Sequence, residues 1–211
     1  MSIKLTQLGL NLDPTLARHN LERILDAAAS HGNFVRLDME GSAYTQKTLD
    51  LFYQVFPKRR NVGVVIQSYL RRSAGDVEEL CRRGARVRLC KGAYKEPPDI
   101  AFPEKADVNR SYDKLAALLL EKGEYPAIAT HDGARVHAAQ KAAAKHGRAK
   151  HTFEFQMLYG LRSRRWAELA KEGHNVRIYV PYGTHWMPYY YRRLRERKEN
   201  VLFVLRNLLW G

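Results

Sequence analysis

The chain has 211 residues, 45% of them hydrophobic, which is enough to build one substantial core and excludes a largely disordered chain. Lys and Arg number 36 against 22 Asp and Glu, a net charge of +14 that raises nucleic acid, anionic membrane or acidic ligands as partners. The basic residues fall in scattered pairs such as Arg71-Arg72, Arg82-Arg83 and Arg164-Arg165, with no RNP, zinc-finger or helix-turn-helix signature. They read as a solvated helical surface, with no nucleic-acid partner.

In chain order, β-like runs are predicted at Ile3–Leu5, Phe34–Asp38, Val62–Gln67, Val87–Leu89, Ala127–Thr130, Thr152–Phe155 and Val176–Tyr179. Each is short and several are nearly all apolar, as expected of strands covered by helices on one side and a packed interior on the other. Helical stretches alternate with them at Thr15–Ala29, Tyr44–Phe56, Ala74–Arg82, Asn109–Lys122, Ala134–His146 and Arg164–Lys171. Gly32, Gly84, Gly123, Gly147 and Gly173 each follow such a stretch, where a helix end favours a left-handed residue.

This alternation predicts an α/β fold with a parallel sheet. A doubly wound sheet would gather its polar residues behind a Gly-rich first turn, and neither GxGxxG nor GxxxxGK[ST] occurs. Here nearly every strand carries a functional side chain at or just past its C-terminal end: Asp38, Gln67, Arg88 with Lys91, Thr130-His131, Gln156 and Tyr179. Convergence of one group per strand is what the C-terminal face of a TIM-type βα barrel does. One domain over residues 1–211 is expected, with helices after the last strand.

Cys81 and Cys90 cannot form a disulfide framework and lack metal-ligand spacing, which points to a reducing compartment. The opening MSIKLTQLGLNL does not read as a signal peptide, and the longest aliphatic run, Leu115 to Leu120, is far short of the ~20 residues that span a bilayer. A cytoplasmic protein is expected.

The strongest local signal is RIYVPYGTHWMPYYYRRLRER. Pro188 suits a first helical turn, and from there Tyr189, Arg192, Arg193 and Glu196 share one face. A tyrosine beside paired guanidinium groups suits a small carboxylate with an apolar body, although a basic solvated face would show the same spacing. Lys4 reads as a second carboxylate ligand, a Schiff-base lysine or a surface lysine. Asp38 either needs a buried cationic or hydrogen-bonding partner or caps the next helix. Arg88, inside a strand, needs an electron-rich or anionic partner, and a structural ion pair would also serve. Thr130-His131-Asp132 is a weak metal motif because no second histidine stands at ligand spacing, and no metal is expected.

The ordered segments KLTQLGL, RLDME, VIQSYL, VRLCKGAY, ATHD, FEFQMLYG and RIYVPYGTHWMPYYYRR closely resemble the proline dehydrogenase family, from the first residues to about Glu196. The resemblance implies a βα barrel with FAD across its C-terminal face (FMN is not distinguished by the residues). It further implies oxidation of L-proline to pyrroline-5-carboxylate by hydride transfer to flavin N(5), with electrons passed to a quinone or another acceptor. Carried over by motif, Arg192, Arg193 and Lys4 would hold the carboxylate, while Asp38, Leu158, Tyr179 and Tyr189 would shape the ring pocket. Arg88 would approach flavin N(5). Gln67, Lys91, Gly92, Tyr94, Thr130, His131, Gln156 and Glu196 would hold or support the cofactor.

In that family, helices and one further strand usually precede the motif that starts here at Lys4. With seven recognisable strands, an incomplete barrel is therefore expected, its gap filled by a second subunit or an exchanged segment in a homo-oligomer. The apolar segment Val201–Trp210 would pack on the barrel, on a partner subunit or on a lipid surface, so localisation peripheral to the inner face of the membrane is compatible. Two other readings are an aldolase using Lys4 or Lys91, which leaves the paired arginines unexplained, and a non-catalytic flavin- or partner-binding remnant.

Overall fold

The computed structural model describes residues 1–183, and the chain divides into two compact units, Met1–Ile178 and Tyr179–Gly211. Tyr189, Arg192, Arg193, Glu196, the Val201–Trp210 segment and the expected C-terminal helices lie outside the described residues.

Strands β1 (Ser2–Ile3), β2 (Val35–Leu37), β3 (Val62–Gln67), β4 (Arg86–Cys90), β5 (Glu124–Ala129), β6 (Glu154–Leu158) and β7 (Asn175–Tyr179) form one sheet in sequence order, with β1 and β7 at its two ends. The pairs from β1 to β6 are parallel, for example Ile3 with Leu37, Val64 with Val87 and Ala129 with Gln156. Six helices provide the crossovers: α1 (Pro14–Ser30), α2 (Ser42–Val55), α3 (Ser73–Arg82), α4 (Lys105–Lys122), α5 (Gly133–Lys145) and α6 (Ser163–Lys171). Sequential parallel order with a helix between successive strands is the open, TIM-barrel-like arrangement expected from the sequence.

The helices pack by periodic apolar faces. In α1, Ala17, Leu21 and Leu25 recur every four residues and are fully buried, and in α4 Tyr112, Leu115, Ala116, Leu119 and Leu120 form the equivalent stripe. They join the strands in one buried core, to which β3, all six of its residues buried, contributes Val62, Val64, Val65 and Ile66. Asp13 fixes the start of α1 by accepting from Thr15 N at 2.8 Å and Leu16 N at 3.3 Å, with Pro14 in the first turn.

Three local expectations are corrected. Leu5 belongs to a 3-10 turn, Leu5–Leu8, so β1 stops before Lys4. The strand expected at Thr152–Phe155 runs over Glu154–Leu158, which places Gln156 inside it and Leu158 at its end. Gly123 is extended (φ −76°) where Gly32, Gly84, Gly147 and Gly173 are left-handed; the positive φ at this junction falls on Tyr125 (41°). A Cβ on Gly123 would stand 2.6 Å from the Leu119 carbonyl oxygen, so close approach to the helix end, rather than handedness, excludes a side chain there.

Candidate active site

Because the sheet is parallel, the ends of its strands gather one residue from each crossover along the same edge. Lys4 follows β1, Asp38 follows β2, Gln67 ends β3, Lys91 follows β4, Thr130 and His131 follow β5 and Leu158 ends β6, while Tyr179, the last residue of β7, opens the second unit. Arg88 and Gln156 lie two residues inside β4 and β6.

The charged centre of this edge is built around Asp38. Its carboxylate accepts from Arg88 Nη1 at 2.6 Å, and Lys4 Nζ stands 4.0 Å away. Arg88 also donates through Nη2 to Ser2 Oγ at 2.8 Å. The Arg88 and Asp38 side chains are only 10% and 12% exposed, so their attraction acts with little solvent screening. Asp38 is thus an ion-pair partner rather than a helix cap; Glu96 reaches back to α2 instead, accepting from Ser42 N at 2.7 Å. Deeper in the sheet, Arg36 is buried and donates to the Arg86 carbonyl at 2.9 Å; burial, followed by the Arg88 charge, pushes its guanidinium down to about 9.

The turn after β5 ties three strands together. Thr130 Oγ1 accepts from Asp132 N at 3.1 Å, and Asp132 accepts from Ala134 N at 3.1 Å as the N-cap of α5. Asp132 also takes Lys91 Nζ at 2.9 Å. Burial raises the Asp132 carboxyl, but Lys91, the Ala134 N–H and Arg135 outweigh it and hold the group below its ordinary value. His131 Nε2 accepts the backbone N–H of Leu158 at 2.9 Å. The buried amides are also engaged: Gln67 donates to the Glu40 carbonyl at 2.8 Å, and Gln156 donates to the Glu154 carboxylate.

The connection from β4 to α4 carries Lys91, Gly92 and Tyr94. It is held at its far end by an antiparallel bridge from Leu70 to Ala101 and near its middle by Glu96. Gly92 has φ 102°, and a Cβ there would lie 2.2 Å from the Tyr69 ring, so only glycine fits. Tyr94 is 44% exposed.

Sequence reasoning missed Ser2 as the second partner of Arg88, and Glu40 and Glu96 as anchors of the loops; Glu40 accepts from Thr6 Oγ1 at 2.9 Å. The β5 triplet was visible in the sequence, although its pairing with Lys91 was not. Among the described residues no group of His, Cys, Asp and Glu could hold a metal ion, and no helix is long and apolar enough to cross a membrane. Hollows of about 420 Å³ beside Phe34, Arg60 and Arg86 and about 400 Å³ beside Glu154 and Arg177 lie at the opposite, N-terminal strand ends.

The family model for proline dehydrogenase matches residues 1–206. Over 208 residues the chain is 44% identical to proline dehydrogenase 2 of Bacillus subtilis, covering 99% of this chain and 69% of that protein. It is 40% identical over 216 residues to proline dehydrogenase of Deinococcus radiodurans, covering 100% of this chain and 70% of that one. Among solved structures, proline utilization A from Bdellovibrio bacteriovorus, inactivated by N-propargylglycine, superposes with a TM-score of 0.82 at 30% identity. That match covers 92% of this chain and 24% of the other, so this chain spans about a quarter of that protein. The chain belongs to the proline dehydrogenase family, whose members are oxidoreductases acting on proline.

Proposed function

We propose that residues 1–211 form one catalytic domain that oxidises L-proline to pyrroline-5-carboxylate with FAD as cofactor, passing electrons to a quinone or another acceptor. The observation that carries this reading is the edge that brings Lys4, Asp38 and Arg88 within ion-pair distance beside a row of amide, hydroxyl and cationic donors.

The donor set fits a flavin. Arg88 and Lys91 supply positive charge, while Gln67, Thr130 and Gln156 supply amide and hydroxyl groups at, or within two residues of, the strand ends. At Gly92 the Tyr69 ring packs directly on the backbone and fixes the course of the loop that carries Lys91. Arg88, Gln67, Lys91, Gly92, Tyr94, Thr130, His131 and Gln156 would hold it, with Glu196 in support. When bound, the flavin supplies the two-electron acceptor.

The remaining work falls to the chain's own residues. Lys4, Arg192 and Arg193 bind the proline carboxylate, the arginines by planar charge-assisted contacts. Leu158, Tyr179 and Tyr189 orient the ring, and Asp38 holds Arg88 and Lys4 in place. Proline loses two electrons and two protons between its ring nitrogen and the adjacent ring carbon, leaving a C=N bond. The surrounding cations favour the carboxylate and disfavour a protonated ring nitrogen, which readies the amine for that loss.

The edges at β1 and β7 are covered in a homo-oligomer in this reading, since exposed strand edges recruit partners; a monomer in light scattering at micromolar concentration would contradict it. The protein works in the cytoplasm or peripheral to the inner face of the membrane. Product trapping as the adduct of pyrroline-5-carboxylate with o-aminobenzaldehyde tests the reaction, and chromatography of the released flavin tests FAD.

A further inference from the structure

We infer that His131 is a positioning residue for the substrate pocket: its ring fixes the backbone of Leu158, and through it the side chain facing the proline ring. The inference rests on the proposed function only for what Leu158 touches.

The last pair of the β5–β6 ladder is Ala129 with Gln156, two residues short of Leu158, so the Leu158 N–H lies beyond the pairing of β6 with β5. His131 Nε2 meets it at 2.9 Å. A backbone amide can only donate, so Nε2 is unprotonated and the neutral ring carries its proton on Nδ1. A protonated imidazolium could not accept this bond. The ring is presented by a turn fixed on both sides: Thr130 Oγ1 takes the N–H of Asp132, and Asp132 caps α5 while binding Lys91. Leu158 ends its strand and is followed by exposed Tyr159 and left-handed Gly160, so the chain turns away directly beyond it. The imidazole contact therefore sets the direction in which the Leu158 Cα–Cβ bond leaves the strand. The turn after β5 thus positions the end of β6 as well as that of β4.

The test compares His131→Phe, which keeps a ring but offers no acceptor, with His131→Gln, whose side-chain carbonyl reaches the place of Nε2. Amide hydrogen exchange of Leu158 in the flavin-loaded protein reads the contact, and steady-state kinetics with L-proline read its consequence. In His131→Phe, assayed at saturating flavin, Leu158 protection falls and KM for L-proline rises about tenfold, because one lost hydrogen bond is worth roughly a factor of ten. His131→Gln restores both readouts. Unchanged Leu158 protection in His131→Phe, or protection lost with KM unchanged, overturns the inference. So does a Gln variant as impaired as the Phe variant. If the wild-type protein shows the contact by exchange and binds no L-proline in calorimetry, the functional reading fails while the contact stands, and Leu158 loses its place at the proline ring with that reading.

Discussion

Arg88 on β4 and Asp38 after β2, fifty residues apart in sequence, form an ion pair of 2.6 Å with both side chains close to nine-tenths buried. Neither charge is neutralised by water at that depth, so each depends on its partner. Asp38→Asn removes the charge and keeps the shape. It should lower stability by about 2–4 kcal/mol in urea unfolding, since breaking one side of a buried pair takes away the charge opposite Arg88. Efficiency with L-proline should fall with it. A stability change below about 0.5 kcal/mol would show the pair to be effectively solvated.

Gly92 offers a sharper steric test. Its φ of 102° disfavours any side chain, and a Cβ would stand 2.2 Å from the Tyr69 ring. Gly92→Ala should displace the β4–α4 connection and reduce flavin retained through purification, while the thermal transition of the sheet drops by only a few degrees. Full flavin occupancy in the variant would remove Gly92 from the cofactor site.

His174 gives a pH dependence. It is buried in T-shaped contact with Phe153 and Phe155, with ring centroids at 5.5 and 5.1 Å. Burial first, then the Lys150 charge, lowers its pKa from 6.5, outweighing Glu172 at 4.0 Å. The folded state thus resists protonation while the unfolded chain accepts it. Its contribution is complete above pH 6.5 and is lost as pH falls from there through the lower folded value. His174→Phe should flatten that part of the stability profile. An identical profile in both proteins would rule His174 out as its source.

Arg192 and Arg193 are read from the motif alone. Replacing either with Met should raise KM for L-proline by about 30- to 1000-fold while flavin stays bound, the equivalent of roughly 2–4 kcal/mol for a charge-assisted contact in a partly dry site. Unchanged KM in both variants would remove them from the carboxylate site.

Much of the fold could be read in advance because its periodicities are strong. Val62–Gln67 is a strand with the expected bounds, and the α1 and α4 faces follow from regularly spaced Leu and Ala. Boundaries failed where local hydrogen bonds compete with pattern. Thr152 Oγ1 bonds the Ala149 carbonyl at 2.8 Å and holds a turn where apolar residues suggested a strand. At the candidate site, residue types were legible at strand ends because the parallel sheet brings those ends together. Their pairings were not: Lys91 meets Asp132 across 41 residues, and Glu96 meets Ser42 across 54. No spacing rule in the sequence encodes such contacts, which are set by the register between crossovers.

Flavin-dependent oxidation of L-proline at this strand edge is open to a single decisive measurement, anaerobic titration of the flavin-loaded protein with L-proline. The flavin absorbance at about 450 nm should bleach as the two electrons leave proline, with pyrroline-5-carboxylate formed in equal amount to flavin reduced. A protein that binds flavin but keeps its full absorbance at saturating L-proline would contradict that chemistry.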